Sequence, residues 1–370
     1  MPTIITRGGA SSKSFGFTGK NGISMWVAVG GANTTVGQPK LWYSKDPTAN
    51  TWTAVTTPFT AANIVRLYDV AYSPKLKLFC AVGQDNTVSP GQVTIPFTSP
   101  DGINWTQQSA GIFIYSAPQV CIKWLPINQV FMMCGYGGTS TQGAESHYSS
   151  DGINWTSWSL AGSTTPYAAS CVAEAPNGTI VFSCYQGTFA NGIATPNGTG
   201  ALTISSPSLS GNLTFSTIPS VSTTTINASA IYYSPTFNEF IINTNTASSW
   251  SIFSSADGTS FSQIYNLPVA LTATWALYAN NLDVCYAQQT APSYTYPAYS
   301  ISGGSWTSGA SRPNFAMNRV AYGGGMFVGN NQNVTTTPVS GLYYSPDGYN
   351  ASNWGPVASN VTAYGLCYSG

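Results

Sequence analysis

The 370-residue chain carries 11 basic and 11 acidic side chains and a formal net charge of zero, so it lacks the positive field that binding to nucleic acid or an anionic membrane requires. Charged residues make up only 6% of the chain, against about 25% in ordinary soluble domains, so hydroxyl and amide groups must keep its surface hydrated. The sequence has no run of 18 apolar residues and no N-terminal secretion signal, and we expect neither a membrane span nor export.

Groups of four short apolar strands recur along the chain, and we name the strands of each group A to D in chain order. The predicted ranges are B 23–31, C 40–44 and D 51–56; A 65–73, B 77–84, C 93–99 and D 104–108; A 118–125, B 129–135, C 145–149 and D 154–158; A 168–175 and B 179–184; A 227–234, B 239–244, C 249–254 and D 260–265; A 272–279, B 282–288, C 296–301 and D 305–308; A 317–323, B 326–330, C 341–345 and D 352–357. A polar insert, residues 186–200, interrupts the fourth group. No segment has the sustained apolar period of a helix, so helix should be nearly absent.

A tight turn with a recurring sequence joins strand C to strand D. Its two clearest copies are Ser99-Pro100-Asp101-Gly102-Ile103-Asn104-Trp105 and Ser149-Ser150-Asp151-Gly152-Ile153-Asn154-Trp155. In such a turn the carboxylate can accept backbone N–H bonds and the glycine can take a positive φ. The predicted turn residues are Asp46 and Trp52; Asp101, Gly102 and Trp105; Asp151, Gly152 and Trp155; Asp257 and Gly258; and Asp347, Gly348 and Trp354, with degenerate turns in the fourth and sixth groups.

The spacing of these turns indicates the fold. Consecutive turn aspartates lie 45–55 residues apart once the two degenerate turns are counted. A period of this length with four short strands is typical of a β-propeller blade. We therefore predict an all-β protein, a seven-bladed β-propeller of four-stranded antiparallel blades.

The two ends of the chain indicate how the ring closes. Residues 361–369 match a strand A with no strand B after them, whereas the first group begins with strand B. We predict that the C-terminal strand completes the first blade, which removes the open sheet edge. Residues 14–18 are the alternative source of that strand. The predicted domains are an N-terminal arm, residues 1–20, that attaches the protein to a partner, and a propeller, residues 21–370.

The turn sequence resembles the Asp-box of sialidase-type propellers. In that family the box is a folding element on the blade rim, far from the active site, so the resemblance implies a propeller and no particular chemistry. An active sialidase would further imply three arginines for the substrate carboxylate, a tyrosine with an adjacent glutamate, and an acid/base aspartate. Of the four arginines in the chain, Arg66 and Arg319 lie near A strands and could approach the central channel, but a third is hard to find. We therefore predict no enzymatic activity, and a sialidase-like glycosidase is the least favoured function.

No other pattern indicates a catalytic, metal or cofactor site. The seven cysteines are scattered singly, without the spacing of a zinc site. Two pairs, Cys121 with Cys134 and Cys171 with Cys184, are each 13 residues apart about a predicted hairpin turn, so each pair should face across two strands, either as reduced neighbours or as a disulfide. The single histidine, His147, has no neighbouring nucleophile motif and is interpreted as a surface or packed side chain.

The function is predicted from the N-terminus and the composition. The string Arg7-Gly8-Gly9-Ala10-Ser11-Ser12-Lys13-Ser14-Phe15-Gly16-Phe17 resembles a leader found ahead of variable domains in tailed-phage virion proteins. That resemblance implies a bacteriophage virion protein made in the host cytoplasm, as a capsid decoration, a tail-fibre component or a host-surface adhesin. The alternative is a carbohydrate-binding propeller lectin, since exposed aromatic rings and amides suit sugars. The predicted contacts to other virion proteins or to host polysaccharide are Arg7, Phe15, Phe17, Tyr294, Tyr296 and Tyr299.

Overall fold

A computed structural model describes most of the chain from residue 24 to the C-terminus. The described ranges are 24–30, 39–50, 52–56, 58–59, 64–85, 93–108, 121–136, 144–160, 167–190, 193–209, 211–218, 227–245, 248–290, 293–310, 312–313, 317–331, 341–357, 361 and 363–370. The predicted arm, with Arg7, Phe15 and Phe17, lies outside these ranges.

Seven antiparallel sheets form the blades, and the strands of each blade follow in their order across the sheet. Blade 1 is β29 (Ala363–Ser369), β1 (Met25–Gly30), β2 (Leu41–Ser44) and β3 (Thr53–Val55); blade 2 is β4 (Ile64–Ser73), β5 (Leu78–Asp85), β6 (Val93–Ser99) and β7 (Thr106–Gln107); blade 3 is β8 (Cys121–Leu125), β9 (Val130–Tyr136), β10 (Ala144–Ser149) and β11 (Thr156–Ser159); blade 4 is β12 (Tyr167–Glu174), β13 (Ile180–Ala190), β14 (Ile193–Ser206) and β15 (Thr214–Thr217). Blade 5 is β16 (Asn227–Ser234), β17 (Glu239–Asn245), β18 (Trp250–Ser255) and β19 (Ser262–Leu267); blade 6 is β20 (Thr272–Ala279), β21 (Leu282–Thr290), β22 (Ser293–Ile301) and β23 (Thr307–Ser308), with β24 (Arg312–Pro313) beside β22; blade 7 is β25 (Met317–Gly323), β26 (Met326–Asn331), β27 (Gly341–Ser345) and β28 (Gly355–Pro356).

The first strands of the seven blades contact one another in a closed ring, which makes them the inner wall of the propeller. The second strands lie between a first and a third strand and are buried along their length, as in β1 and in six of the seven residues of β17. Their valines, isoleucines and phenylalanines suit a strand packed on both faces. The predicted seven-bladed propeller is confirmed.

The C-terminal strand closes the ring as predicted. β29 pairs with β1 along its length, from Met25 opposite Ser369 to Gly30 opposite Ala363. The Met25 N–H donates to the Ser369 hydroxyl at 3.2 Å. The alternative strand, residues 14–18, lies outside the described residues. The pairing joins the C-terminal strand to the first described strand of the chain and gives blade 1 the same four strands as the other blades.

Helix is nearly absent from the described residues, as predicted: they contain a single 3-10 turn, Ala351–Asn353. No helix in these ranges has the length and apolar character needed to span a membrane. The polar insert in the fourth group forms strands: it extends β13 and β14 into a long hairpin whose last pair is Ala190 opposite Ile193.

The inner strands carry β-bulges at similar positions, which the repeat did not predict. The pairing registers shift between Leu67 and Asp69, between Ala169 and Cys171, between Ala228 and Ala230, between Ala273 and Trp275, between Met317 and Val320, and opposite Val29 and Gly30 in β29. A bulge turns the following side chain away from the regular alternation and is common next to functional sites. In this ring the bulges decide which side chains the inner wall presents.

One bulge also corrects a cysteine prediction. Cys121 lies directly opposite Cys134, as predicted. Cys184, however, lies opposite Ala169, and Cys171 lies opposite Ser183. The extra residue in β12, Ser170, shifts the register by one and moves the second pair apart. All seven cysteines are free thiols.

Candidate functional site

The recurring turns lie at the ends of the third strands and form dense hydrogen-bond networks. In blade 3 the Asp151 Oδ1 accepts the N–H groups of Ile153 and Asn154, each at 2.8 Å, and the Ser149 hydroxyl at 2.8 Å. Partial burial alone would raise the pKa of Asp151, but these bonds and the Asn154 side chain lower it to about 2. The carboxylate is committed to its own turn and is poorly suited to catalysis.

The other copies repeat this geometry. Asp101, Asp257 and Asp347 each accept a serine hydroxyl two residues earlier and at least one backbone N–H within three residues after it, whereas the Asp46 carboxylate bonds to Thr48. The turn glycines Gly102, Gly152, Gly258 and Gly348 share a positive φ of 74–76°. The first three pack against the neighbouring sheet, and Gly348 packs against Phe327 of its own blade. The aromatic residue after the turn is buried or half-buried; these residues are Trp52, Trp105, Trp155, Phe261 and Trp354.

The predicted tyrosine contacts lie on β22, the third strand of blade 6. Tyr299 stacks on Tyr349 of blade 7 with ring centroids 4.2 Å apart, and both rings are half-buried. The Tyr296 hydroxyl donates to Gln289 at 3.2 Å. Tyr294 pairs through its backbone with Gln289 and Pro313. Tyr296 and Tyr299 therefore contribute to packing within and between blades.

A different group of side chains meets on the inner wall of the ring. Asp69 of β4, Lys123 of β8, Trp275 of β20 and Arg319 of β25 come from blades 2, 3, 6 and 7. We call these four side chains the channel cluster. Charged residues make up only 6% of the chain, so it is unusual for this protein to bring Asp69, Lys123 and Arg319 together on its inner strands.

Asp69 is the acidic member of the channel cluster and is only 5% exposed. Its Oδ2 accepts the Ile122 N–H of blade 3 at 3.2 Å, and its Oδ1 accepts the Val70 N–H at 3.0 Å. A methyl group on Gly365 of blade 1 would lie 2.7 Å from Oδ1, so glycine is needed there to leave room for the carboxylate. Burial raises the pKa of Asp69 to about 6, against the opposing effects of the Arg319 charge and of the two N–H donors.

The two cations of the cluster share one aromatic ring. The guanidinium carbon of Arg319 lies 4.1 Å from the centroid of Trp275, and the Lys123 Nζ lies 5.2 Å from it. Lys123 also donates to the Ile231 carbonyl at 3.3 Å. Burial opposes the charged form of Lys123, but the Cys171 and Cys121 sulfurs and the Asp69 carboxylate raise its pKa. The sulfurs act in this way only as thiolates, so at neutral pH the Asp69 carboxylate is the group that favours the charged lysine.

The cations are not neutralised by a direct ion pair. Neither Lys123 nor Arg319 makes a contact within 4 Å to a carboxylate among the described residues, where the one such contact joins His147 and Glu145. The Nε of Arg319 is buried and has no hydrogen-bond partner in that part of the chain. An unpaired buried donor on a cation costs free energy, which an anionic ligand would recover.

A buried asparagine side chain holds the backbone at Arg319 in this position. Asn330 of β26 is fully buried, and its Oδ1 accepts the Arg319 N–H at 2.7 Å and the Asn318 N–H at 3.3 Å. Its Nδ2 donates to the Ala363 carbonyl of blade 1 at 2.5 Å. Trp275 is fixed in turn by its Nε1, which donates to the Val320 carbonyl at 2.8 Å. Arg319 is therefore held by its own blade, through an asparagine that is bonded to blade 1, and Trp275 is held by the neighbouring blade 7.

The sequence identified part of this site. Arg319 was expected near the channel, and the structure brings it there. Arg66 lies on β4 with its guanidinium carbon 5.5 Å from the Tyr68 centroid, and its Nε is also buried and unpartnered among the described residues. Lys123 and Asp69 were missed. A lone charge inside an apolar inner strand, such as the lysine of Cys121-Ile122-Lys123-Trp124-Leu125, is the signal that could have found them.

The remaining titratable groups among the described residues do not form a second site. A sulfur contact together with burial raises the pKa of the Cys121 and Cys171 thiols, and burial raises that of Cys134, so all three stay protonated. Burial also lowers the pKa of His147 to about 4, so its 3.7 Å contact with Glu145 involves a neutral imidazole at pH 7. Within the described ranges no group of three or more metal-ligating side chains converges.

The fold is shared with known structures, although no family model matches the sequence and no curated protein is similar to it. A protein from Lactobacillus plantarum superposes with a TM-score of 0.60 over 93% of this chain and 99% of its own, at 12% identity. The periplasmic gluconolactonase of Pseudomonas aeruginosa gives 0.61 over 94% and 99%, at 10% identity. A prolyl endopeptidase gives 0.54 over 90% of this chain and 50% of its own, at 11% identity. These likenesses establish the propeller fold.

The same structures correct one prediction. The sequence predicted a protein without enzymatic activity, because a propeller scaffold carried no recognised catalytic motif. That prediction is wrong on this comparison, because the structures that share the fold include a gluconolactonase and a prolyl endopeptidase. A propeller without a familiar motif can belong among enzymes, and activity has to be tested at the channel cluster.

Proposed function

We propose that this chain is a recognition propeller of a bacteriophage particle that binds an acidic saccharide of the host surface at the channel cluster. The observation that carries the proposal is the pair of cations, Lys123 and Arg319, held against Trp275 without a direct ion pair among the described residues. A carboxylate of the ligand would lie between the two cations. Trp275 is 8% exposed and would meet the apolar face of the sugar ring.

The charge balance supports an anionic ligand. The cluster holds two cations and one carboxyl, and the carboxyl is partly protonated near pH 6. Two like charges that share one buried aromatic ring repel each other, and in a medium less polar than water this repulsion is stronger. A bound anion removes it and pairs with the Arg319 guanidinium, which is suited to planar carboxylates.

The placement on a phage particle is supported by the sequence. The leader string around Arg7, Phe15 and Phe17 and the scarcity of charge motivate it, as does the neutral surface, which suits a protein held in an assembly. Residues 1–20 would attach the propeller to another virion protein. Deleting them should release a still-folded propeller from particles, and unchanged incorporation would refute the attachment role.

The binding proposal is tested with a ligand pair in which a methyl ester removes the charge of each carboxylate. Isothermal titration calorimetry would compare tetragalacturonate with its fully methyl-esterified form. We expect binding of the acid and at least tenfold weaker binding of the ester. Arg319→Gln and Lys123→Gln should each weaken binding of the acid about tenfold or more, as expected for a lost charged hydrogen bond.

Lys45→Gln is the matched control, because Lys45 is an exposed lysine in the first turn, away from the channel. It should leave the affinity unchanged. Equal binding of acid and ester, or equal effects of Lys45→Gln and Lys123→Gln, would refute the proposed site.

Hydrolysis of a lactone or ester is the second candidate function, and Asp69 favours it. A buried carboxyl with a pKa of about 6 beside two cations can accept a proton from water while the cations stabilise an oxyanion. The gluconolactonase is a protein of the same fold that acts on a lactone. Hydrolysis of glucono-1,5-lactone that is lost in Asp69→Asn would support this function, and a rate equal to the buffer rate would refute it.

A further inference from the structure

Asp69 is placed to respond to whatever occupies the channel. Its carboxyl joins blade 2 to blade 3 through the Ile122 N–H and lies against Gly365 of blade 1. The Arg319 charge of blade 7 lowers the pKa of Asp69, and the Asp69 carboxylate raises the pKa of Lys123 of blade 3. An anion held by the two cations would therefore add a negative charge within the range over which Asp69 interacts.

We propose that binding of an anion in the channel is coupled to uptake of a proton by Asp69, so that the site holds its ligand more tightly as the pH falls. This inference rests on the proposed function of the channel cluster. A negative charge close to a buried carboxylate destabilises the ionised form and favours the protonated one. By linkage, protonation of the carboxyl must favour the anion to the same extent.

The groups that face Asp69 permit this assignment. They are Arg319 on β25, Lys123 and Cys121 on β8, Cys171 on β12 and Cys367 on β29. The pKa of Lys123 is raised, away from the range between pH 5 and pH 8, and a guanidinium does not lose its proton in proteins. A sulfur contact and burial raise the pKa of the Cys121 and Cys171 thiols above that range, and burial raises the pKa of Cys367 above it. Burial raises the pKa of Asp69 to about 6, so it is the member of this group that changes charge there.

The direction and size of the effect follow from the charges. In the free protein Asp69 is mostly ionised at pH 8 and mostly protonated at pH 5. A unit negative charge about 8 Å away, at an effective dielectric constant of about 20, gives on the order of a 20-fold rise in affinity between those two pH values. Sulfate is a suitable probe because it stays doubly charged throughout the range, so its own titration does not contribute.

Proton uptake is measured by calorimetry of sulfate and tetragalacturonate binding in buffers of different ionisation enthalpy. The slope of the observed enthalpy against the buffer enthalpy gives the number of protons taken up. For a single bound charge, this 20-fold rise corresponds to uptake of roughly two thirds of a proton at pH 6.5 and roughly one quarter at pH 8. In Asp69→Asn the uptake should vanish, and the affinity should stay at its high, low-pH level throughout.

Glu145→Gln is the control, because burial also raises the pKa of Glu145 to about 6 while this residue lies on β10, outside the cluster. It should keep the full proton uptake. If Asp69→Asn does not fold, as judged by circular dichroism, the buffer dependence of the wild type and of Glu145→Gln still decides. Binding without proton uptake, or uptake lost in Glu145→Gln, would overturn this inference alone. Failure of both ligands to bind at any pH would overturn the proposed function with it.

Discussion

Asn330→Ala tests how the closing contact of the ring and the channel cluster depend on one buried amide. The Asn330 side chain accepts the backbone N–H groups of Asn318 and Arg319 and donates to Ala363 of blade 1. Alanine leaves two part-buried N–H groups and one buried carbonyl without these partners. At about 1 kcal/mol for each net hydrogen bond, and more where a buried donor stays unsatisfied, we expect a loss of about 3 kcal/mol in the free energy of unfolding.

Urea unfolding followed by tryptophan fluorescence measures this loss. Asn212→Ala is the control, because Asn212 is an exposed asparagine of blade 4 and should change stability by less than about 0.5 kcal/mol. Asn330→Ala should also weaken binding of tetragalacturonate, since the bulge that presents Arg319 loses its support. Equal stability of the two variants would refute the structural role of Asn330. Unchanged ligand affinity in a destabilised Asn330→Ala would refute the preorganisation of Arg319.

Three further predictions concern the fold. Gly258→Ala should cost more stability than Gly325→Ala in urea unfolding. Both glycines have a positive φ, but a methyl group at 258 would lie 2.5 Å from Val181 Cγ2, whereas one at 325 would meet open space. Equal losses would contradict the packing of the turn. The hydrogen bonds of Asp151 lower its pKa to about 2, so the stability that this carboxylate contributes is present above about pH 4 and should fall between about pH 4 and pH 2. An Asp151→Ala variant whose stability has the same pH profile as the wild type would refute this. Removal of β29 should abolish cooperative unfolding, whereas removal of residues 1–20 should leave the unfolding midpoint unchanged; a folded protein without β29 would contradict closure by that strand.

The sequence predicted the blades well because each blade is a local unit. Neighbouring residues determine a strand, with its alternation of apolar and polar side chains, and a turn such as the one around Asp151. The repetition of these elements could therefore be counted directly. Closure by the C-terminal strand followed from counting strands at the two ends. These features require no knowledge of which blades face each other across the ring.

The channel cluster could not be predicted in the same way. Asp69, Lys123, Trp275 and Arg319 come from four blades, and only the closed ring brings them together. Their orientation further depends on bulges, which insert one residue and leave little trace in an apolar pattern. The second cysteine pair was placed wrongly for the same reason, since Ser170 shifts its register. The prediction of no enzymatic activity was based on the absence of known catalytic motifs, which is weak evidence in a fold that enzymes share.

Binding of an anion at the channel cluster is tested most directly in crystals of the protein soaked in bromide, because anomalous scattering identifies bromide without ambiguity. We predict an anomalous peak within about 4 Å of both the Lys123 Nζ and the Arg319 guanidinium, the range of an ion pair, and its loss in Arg319→Gln. Bromide bound at surface positions while the space between Lys123 and Arg319 holds water alone would contradict the proposed anion site.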